Sequence, residues 1–205
     1  IDVMMNMLLG KKFKNSSFII FCVICFSSPV KSIDVPIIDS DSRFHPVFSS
    51  LGMVVSQERI ASEVGAAILK KGGNAIDAAV ATGFSLAVTL PRAGNLGGGG
   101  FMVIHLAESG ETITIDYREM APSAATTDMF LDTSGEVDNK KARYSIYSSG
   151  IPGTVAGLLH AHERFGKLSL AEIIQPAIDL ATNGIEVSID LSSSLAIRRA
   201  RLMKD

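Results

Sequence analysis

Arg118 stands directly after a run of β-forming residues, in the segment Ile115-Asp116-Tyr117-Arg118-Glu119-Met120-Ala121-Pro122. A planar guanidinium mounted there can hold a carboxylate through two parallel hydrogen bonds, a geometry that a lysine ammonium does not offer. The competing reading is a local ion pair with Asp116 or Glu119, and exposed pairs of that kind are common and weak. The residue types alone leave both open.

Other chemistry-bearing patterns can be excluded more firmly. Gly97 to Gly100 could bring backbone amides to a phosphate, but a phosphate loop continues with Lys and Ser or Thr, and here Phe101 and Met102 follow. A dinucleotide fingerprint has Asp116 at a suitable distance, yet it requires a helix to open after the glycines, and the following residues are β-forming. What remains for the glycines is a loop of unusual torsions and close backbone packing. His160 and His162 are two apart on a helical pattern and point to different faces, so they do not make a metal-ligand pair, and no metal or organic cofactor is expected.

These residues need elements to position them. Apolar Ile60, Val64, Ala67 and Ile68 recur at helical spacing within residues 57–71, and Gly72 and Gly73 stop the run. Asn74 then caps a second helix with Asp77 in its first turn, where the helix dipole favours an acid. Residues 78–90 are almost continuously apolar, which marks a helix buried on all sides, and Pro91 ends it. Residues 101–106 and 112–117 form a hairpin around Glu108, Ser109 and Gly110.

Residues 118–150 show turns but no periodicity. Residues 154–165 are a third helix stopped by Gly166, and Ser169 with Glu172 forms a capping box opening a fourth. Pro176 lies inside that fourth pattern and should kink or divide it. Residues 190–204 give a further helix with Arg198, Arg199, Arg201 and Lys204 toward its end. It meets Asp205 without a cap, which suggests that the domain continues beyond that residue.

The start of the chain has another character. Met7, then Lys11, Lys12 and Lys14, then the apolar run from Phe18 to Phe26, then Ser27, Ser28 and Ser32, follow the layout of a secretory signal peptide. Residues 1–32 are therefore assigned to a signal peptide, with residues 1–6 of no clear meaning. Cleavage fits after Ser32 with Val30 three positions from the cut, or at Ser27 with Cys25. The apolar run is far shorter than the ~20 residues of a membrane-spanning helix, so a retained anchor is the weaker reading and no stable membrane span is expected.

Both cysteines, Cys22 and Cys25, fall in this run, so a redox role is not assigned to them, and Ile24 argues against a lipid anchor at Cys25. The expected location is periplasmic or secreted. Removing residues 1–32 leaves 15 basic and 20 acidic groups, a balance that offers nucleic acid no attraction. At 47% apolar and 20% charged, the 205-residue chain has the composition of a folded globular protein.

Four blocks together carry a resemblance: Gly72-Gly73-Asn74-Ala75-Ile76-Asp77-Ala78-Ala79, Gly94-Asn95-Leu96-Gly97-Gly98-Gly99-Gly100-Phe101, Asp116-Tyr117-Arg118-Glu119-Met120-Ala121-Pro122 and Gly150-Ile151-Pro152-Gly153-Thr154-Val155-Ala156-Gly157. Their order and intervals resemble those of gamma-glutamyltransferases, also called glutathione hydrolases, over roughly residues 44–190. The resemblance implies an α/β (α+β) fold, the N-terminal portion of an N-terminal nucleophile hydrolase with αββα layers. Residues 33–205 would be the N-terminal part of the large-subunit domain, truncated at its C-terminal end.

The resemblance further implies a precursor that cuts itself into two subunits, and a catalytic threonine at the new N-terminus of the small subunit. That threonine is expected beyond Asp205; no threonine here lies in a matching motif, so no catalytic residue is assigned and the fragment alone should be inactive. The implied substrates are glutathione and other γ-glutamyl compounds, with water, amino acids or dipeptides as acceptors. Arg118 matches the family arginine that grips the α-carboxylate of the γ-glutamyl group. Two rivals stand beside this reading: a glutaryl-type (cephalosporin) acylase of the same family, and a non-catalytic binding remnant of a truncated gene.

Overall fold

The computed structural model describes Pro46 and residues 48–204, and among these residues it has six α-helices and one hairpin, the hairpin and five of the helices where the local signals place them. The leader assigned to residues 1–32, both cysteines, His45 and nearly all of residues 33–47 lie outside the described residues.

Helix α1 spans Arg59–Lys70, two residues later than the periodicity suggests. The reason is local: the Ser56 amide donates to the Ser62 hydroxyl at 2.9 Å and the Glu58 amide to the Ser56 hydroxyl at 3.3 Å, so residues 56–58 form a lead-in instead of a first turn. Helix α2 spans Ala75–Thr89 and opens as expected. The Asn74 side chain accepts from the amides of Ile76 and Asp77 at 2.9 and 3.0 Å, and Asp77 returns a bond to the Asn74 amide at 2.9 Å.

The near-continuous apolar run of α2 makes it the central element. Val80 and Ala81 are fully buried, and Phe84 joins Ile68 of α1 in the main core. Small residues set the spacing: a Cβ on Gly65 of α1 would lie 2.8 Å from Val54 Cγ1 and 3.2 Å from the Ala78 carbonyl. Thr82, Ser85 and Thr89 are buried too, with hydroxyls that find no hydrogen-bond partner among the described residues.

Strands β1, Phe101–Leu106, and β2, Glu111–Asp116, pair antiparallel with Phe101 opposite Asp116 and Ile104 opposite Ile113. Gly110 takes φ +71° at the turn, which any other residue would resist. Alternation puts Ile104 in the interior while Phe101 and Val103 stay exposed.

Residues 118–150, expected to be irregular, contain a short helix α3, Asn139–Tyr144, and a 3₁₀ turn at Ile146–Ser148. No residue of α3 is buried, so there was no apolar stripe to reveal it; the Asp138 cap, accepting from Lys140 and Lys141 at 2.9 and 3.0 Å, was its only signal. Helix α4 spans Thr154–Phe165 and packs Leu158 against Gly83 of α2.

Helix α5 spans Leu170–Asn183 and carries the expected capping box, with Glu172 accepting the Ser169 amide at 3.0 Å. Of the two outcomes expected at Pro176, a kink or a division, division does not occur: one α-helix runs through it. Proline removes the amide that would bond the Glu172 carbonyl, but Glu172 is exposed and water can take its place, while Ile173 and Ala177 are buried on either side and hold the helix to the core. Helix α6, Ile189–Leu202, is capped by Ser188 and anchored by buried Leu191, by Asp190 paired with Arg92 at 2.7 Å, and by Arg201 stacked 4.1 Å over Tyr144. None of the helices among the described residues is long and apolar enough to cross a membrane.

Candidate substrate-binding site

The hairpin ladder continues one pair past β2. Tyr117 donates to the Gly100 carbonyl at 3.0 Å and receives the Gly100 amide at 3.3 Å. Beyond it, Met120 and Ile151 exchange backbone bonds at 3.2 and 2.8 Å. Arg118 therefore sits on a short span held at both ends, and its own amide donates to Asp116 Oδ1 at 3.0 Å.

The glycine block packs beneath this span. A Cβ on Gly99 would come within 2.6 Å of the Tyr117 carbonyl oxygen and 2.7 Å of the Glu119 nitrogen. None of Gly97 to Gly100 has positive φ, which corrects the expectation of unusual torsions: at Gly99 and Gly100 it is proximity that leaves no room for a side chain. The Gly98 carbonyl accepts the amides of Gly153 and Thr154 at 2.8 and 3.0 Å, so those donors at the start of α4 are already engaged. From the other side, Gly153 lies against the Tyr117 carbonyl and Gly157 against the Tyr117 ring, both too near for a side chain.

The Arg118 side chain is exposed, and its guanidinium lies 6.0 Å from the centroid of the Phe101 ring. Among the described residues it forms no salt bridge, so the local ion pair with Asp116 or Glu119 is not made. Asp116 instead serves the arginine's backbone.

A cleft of about 510 Å³ opens beside it, walled by Ile115, Asp116, Tyr117, Arg118, Met120 and His160. A larger groove of about 820 Å³ runs along α2 past Thr82 and Met102, but no charged residue lines it. Of the two, the smaller cleft is the one that offers an anionic ligand a cation, Arg118; its acid, Asp116, accepts the Arg118 backbone amide. Tyr117 borders both, and partial burial raises its hydroxyl pKa above the ordinary 10.0.

His160 borders the cleft, a placement the sequence reading did not assign; its position three residues after Gly157 on the α4 pattern was the available signal. His162 is structural: its Nε2 bonds the Leu168 carbonyl at 2.8 Å and lies 3.8 Å from the buried Asp77. His105 pairs across the hairpin with Thr112 at 3.1 Å.

Helices packed about α2 with a glycine-braced hairpin that leads into an exposed arginine form part of the mixed helix-and-sheet architecture of N-terminal nucleophile hydrolases. Residues 61–205 match the gamma-glutamyltranspeptidase family, and the chain belongs to it. It is similar to the glutathione hydrolase proenzyme of Escherichia coli, 49% identical over 174 residues, which are 83% of this chain and 30% of that protein. The structure resembles the gamma-glutamyltranspeptidase of Helicobacter pylori with TM-score 0.75 and 46% identity, covering 78% of this chain and 46% of that one. An acylase ACY 1 proenzyme from a Pseudomonas strain is 41% identical over 166 residues, 78% of this chain and 30% of that protein. The chain thus spans between 24% and 30% of the length of the curated relatives it matches.

Proposed function

We propose that this chain is the N-terminal part of the large subunit of a γ-glutamyl acyltransferase and hydrolase that acts on glutathione and related γ-glutamyl amides. The observation that carries the reading is the exposed Arg118 beside its cleft, which forms no salt bridge among the described residues. A γ-glutamyl group has an α-carboxylate at the end remote from the scissile amide. Two parallel bonds from the guanidinium to that carboxylate fix the far end of the donor and so orient the amide toward a nucleophile.

The nucleophile in this account is a threonine supplied by the small subunit of the same precursor. Its own α-amine, titrating near ~7.7–8.0 in ordinary surroundings, takes the hydroxyl proton as the oxygen attacks the γ-carbonyl. The amine of the leaving group departs protonated and a γ-glutamyl ester remains. Water then releases glutamate, or an amino acid or dipeptide takes the acyl group. Export to the periplasm or outside the cell, where the substrates would be met, fits the leader pattern of residues 1–32.

The likeness to an acylase supports a second reading, in which the acyl group is a glutaryl-type side chain. A glutaryl group keeps the terminal carboxylate that Arg118 would hold and lacks only the α-amino group, so the choice of donor falls to the residues that would meet that amine. Expression of the precursor tests both readings. Self-cleavage into two subunits and release of glutamate from glutathione are expected. Cleavage with turnover of glutaryl amides only would favour the acylase, and a precursor that never cleaves would refute the enzymatic reading.

A further inference from the structure

The Arg118 side chain has no hydrogen-bond partner among the described residues, and its guanidinium lies 6.0 Å from the centroid of the Phe101 ring. Its direction is therefore left to its backbone. The ladder ends at Tyr117, so whatever fixes the ring of Tyr117 also fixes the backbone from which the next side chain, Arg118, leaves.

Tyr117 is fixed tightly. Its ring lies across two glycines, with the ring base against Gly157 of α4 and the hydroxyl end over Gly100. A Cβ on Gly100 would meet the ring Cε2 at 3.0 Å and the hydroxyl oxygen at 3.1 Å, and a Cβ on Gly157 would come 2.5 Å from Cδ1 and overlap Cγ. Glycine inside a helix is a poor helix former, so Gly157, buried within α4, has no local reason to be there; the tyrosine ring supplies one. Gly153 is one turn earlier on the same helix face and receives the carbonyl of the same tyrosine.

We infer that Tyr117 is a positioning residue for Arg118, its ring seated in the slot between Gly100 and Gly157 so that the guanidinium is aimed into the cleft. The inference rests on the reading of Arg118 as the carboxylate clamp. Filling the slot tilts the strand end and misaims the arginine, which weakens donor binding without altering the reacting atoms.

The test is a double-mutant cycle in the mature enzyme produced from the precursor, with glutathione as donor. Gly157→Ala is expected to raise KM about tenfold while kcat stays within about threefold, the pattern of lost donor binding. In an Arg118→Ala background the same substitution should change KM less than twofold, because the arm it misaims is gone. An equal factor in both backgrounds, or a fall in kcat alone, overturns the inference, since general loosening acts regardless of Arg118. If Arg118→Ala by itself leaves KM unchanged, the clamp reading fails first and separately. Should Gly157→Ala not fold, Tyr117→Leu empties the slot instead of overfilling it and is read by the same cycle.

Discussion

Asp77 accepts the backbone amide of Lys167, ninety positions later in the chain, at 3.0 Å to one carboxylate oxygen and 3.1 Å to the other. The same carboxylate takes the amides of Asn74 at 2.9 Å and Leu168 at 3.3 Å, and it is wholly buried. One side chain thereby caps α2 and ties it to the connection between α4 and α5. Asp77→Ala leaves these amides without their acceptor, and a loss of about 3 kcal/mol is expected from the cost of unsatisfied buried donors. Asp77→Asn keeps one accepting oxygen and should lose less. The midpoints of denaturant unfolding distinguish the two, and equal, small losses would show that water substitutes freely at this node.

Pro176 gives a prediction of opposite sign. It sits within an unbroken α5, where it forfeits one helical hydrogen bond. Pro176→Ala restores the donor for the Glu172 carbonyl and should stabilise the protein by about 1–3 kcal/mol, the range set by proline in a helix interior. Thermal unfolding measures the gain. A loss instead would mean that the proline ring itself packs to advantage.

The capping box of α5 sets a pH dependence. The Ser169 hydroxyl and amide hold the Glu172 carboxyl below its ordinary pKa of 4.5. A depressed folded-state pKa means that the cap's contribution is complete above the unfolded value and disappears as pH falls through the folded one. Carbon-detected NMR titration should therefore place the Glu172 midpoint below 4.5, and Ser169→Ala should move it back upward. A midpoint unaffected by Ser169→Ala would contradict the assignment.

Legibility in the sequence followed the range of the interaction. The caps at Asn74 and Ser169 are three-residue patterns and could be read directly, as could the hairpin, the limits of α4 and the placement of Arg118 just past a strand. The second role of Asp77 could not be read, because Lys167 approaches it only once α4 and α5 have packed. Helix α3 was hidden by its lack of a buried face, and the later start of α1 by a serine pair that competes with the first turn. The glycine block was recognised as a place of close packing, but torsions were invoked where proximity to Tyr117 and Glu119 is the cause. Gly153 and Gly157, four apart, were the visible trace of the tyrosine seat, and nothing local named their partner.

The central claim is that Arg118 holds the donor's α-carboxylate, and steady-state hydrolysis of glutathione by the Arg118→Ala enzyme tests it most directly. Losing a bidentate charge-assisted pair of about 3 kcal/mol predicts a fall in kcat/KM of about 100-fold, carried mainly by KM. An Arg118→Ala enzyme with the wild-type kcat and KM would contradict the account.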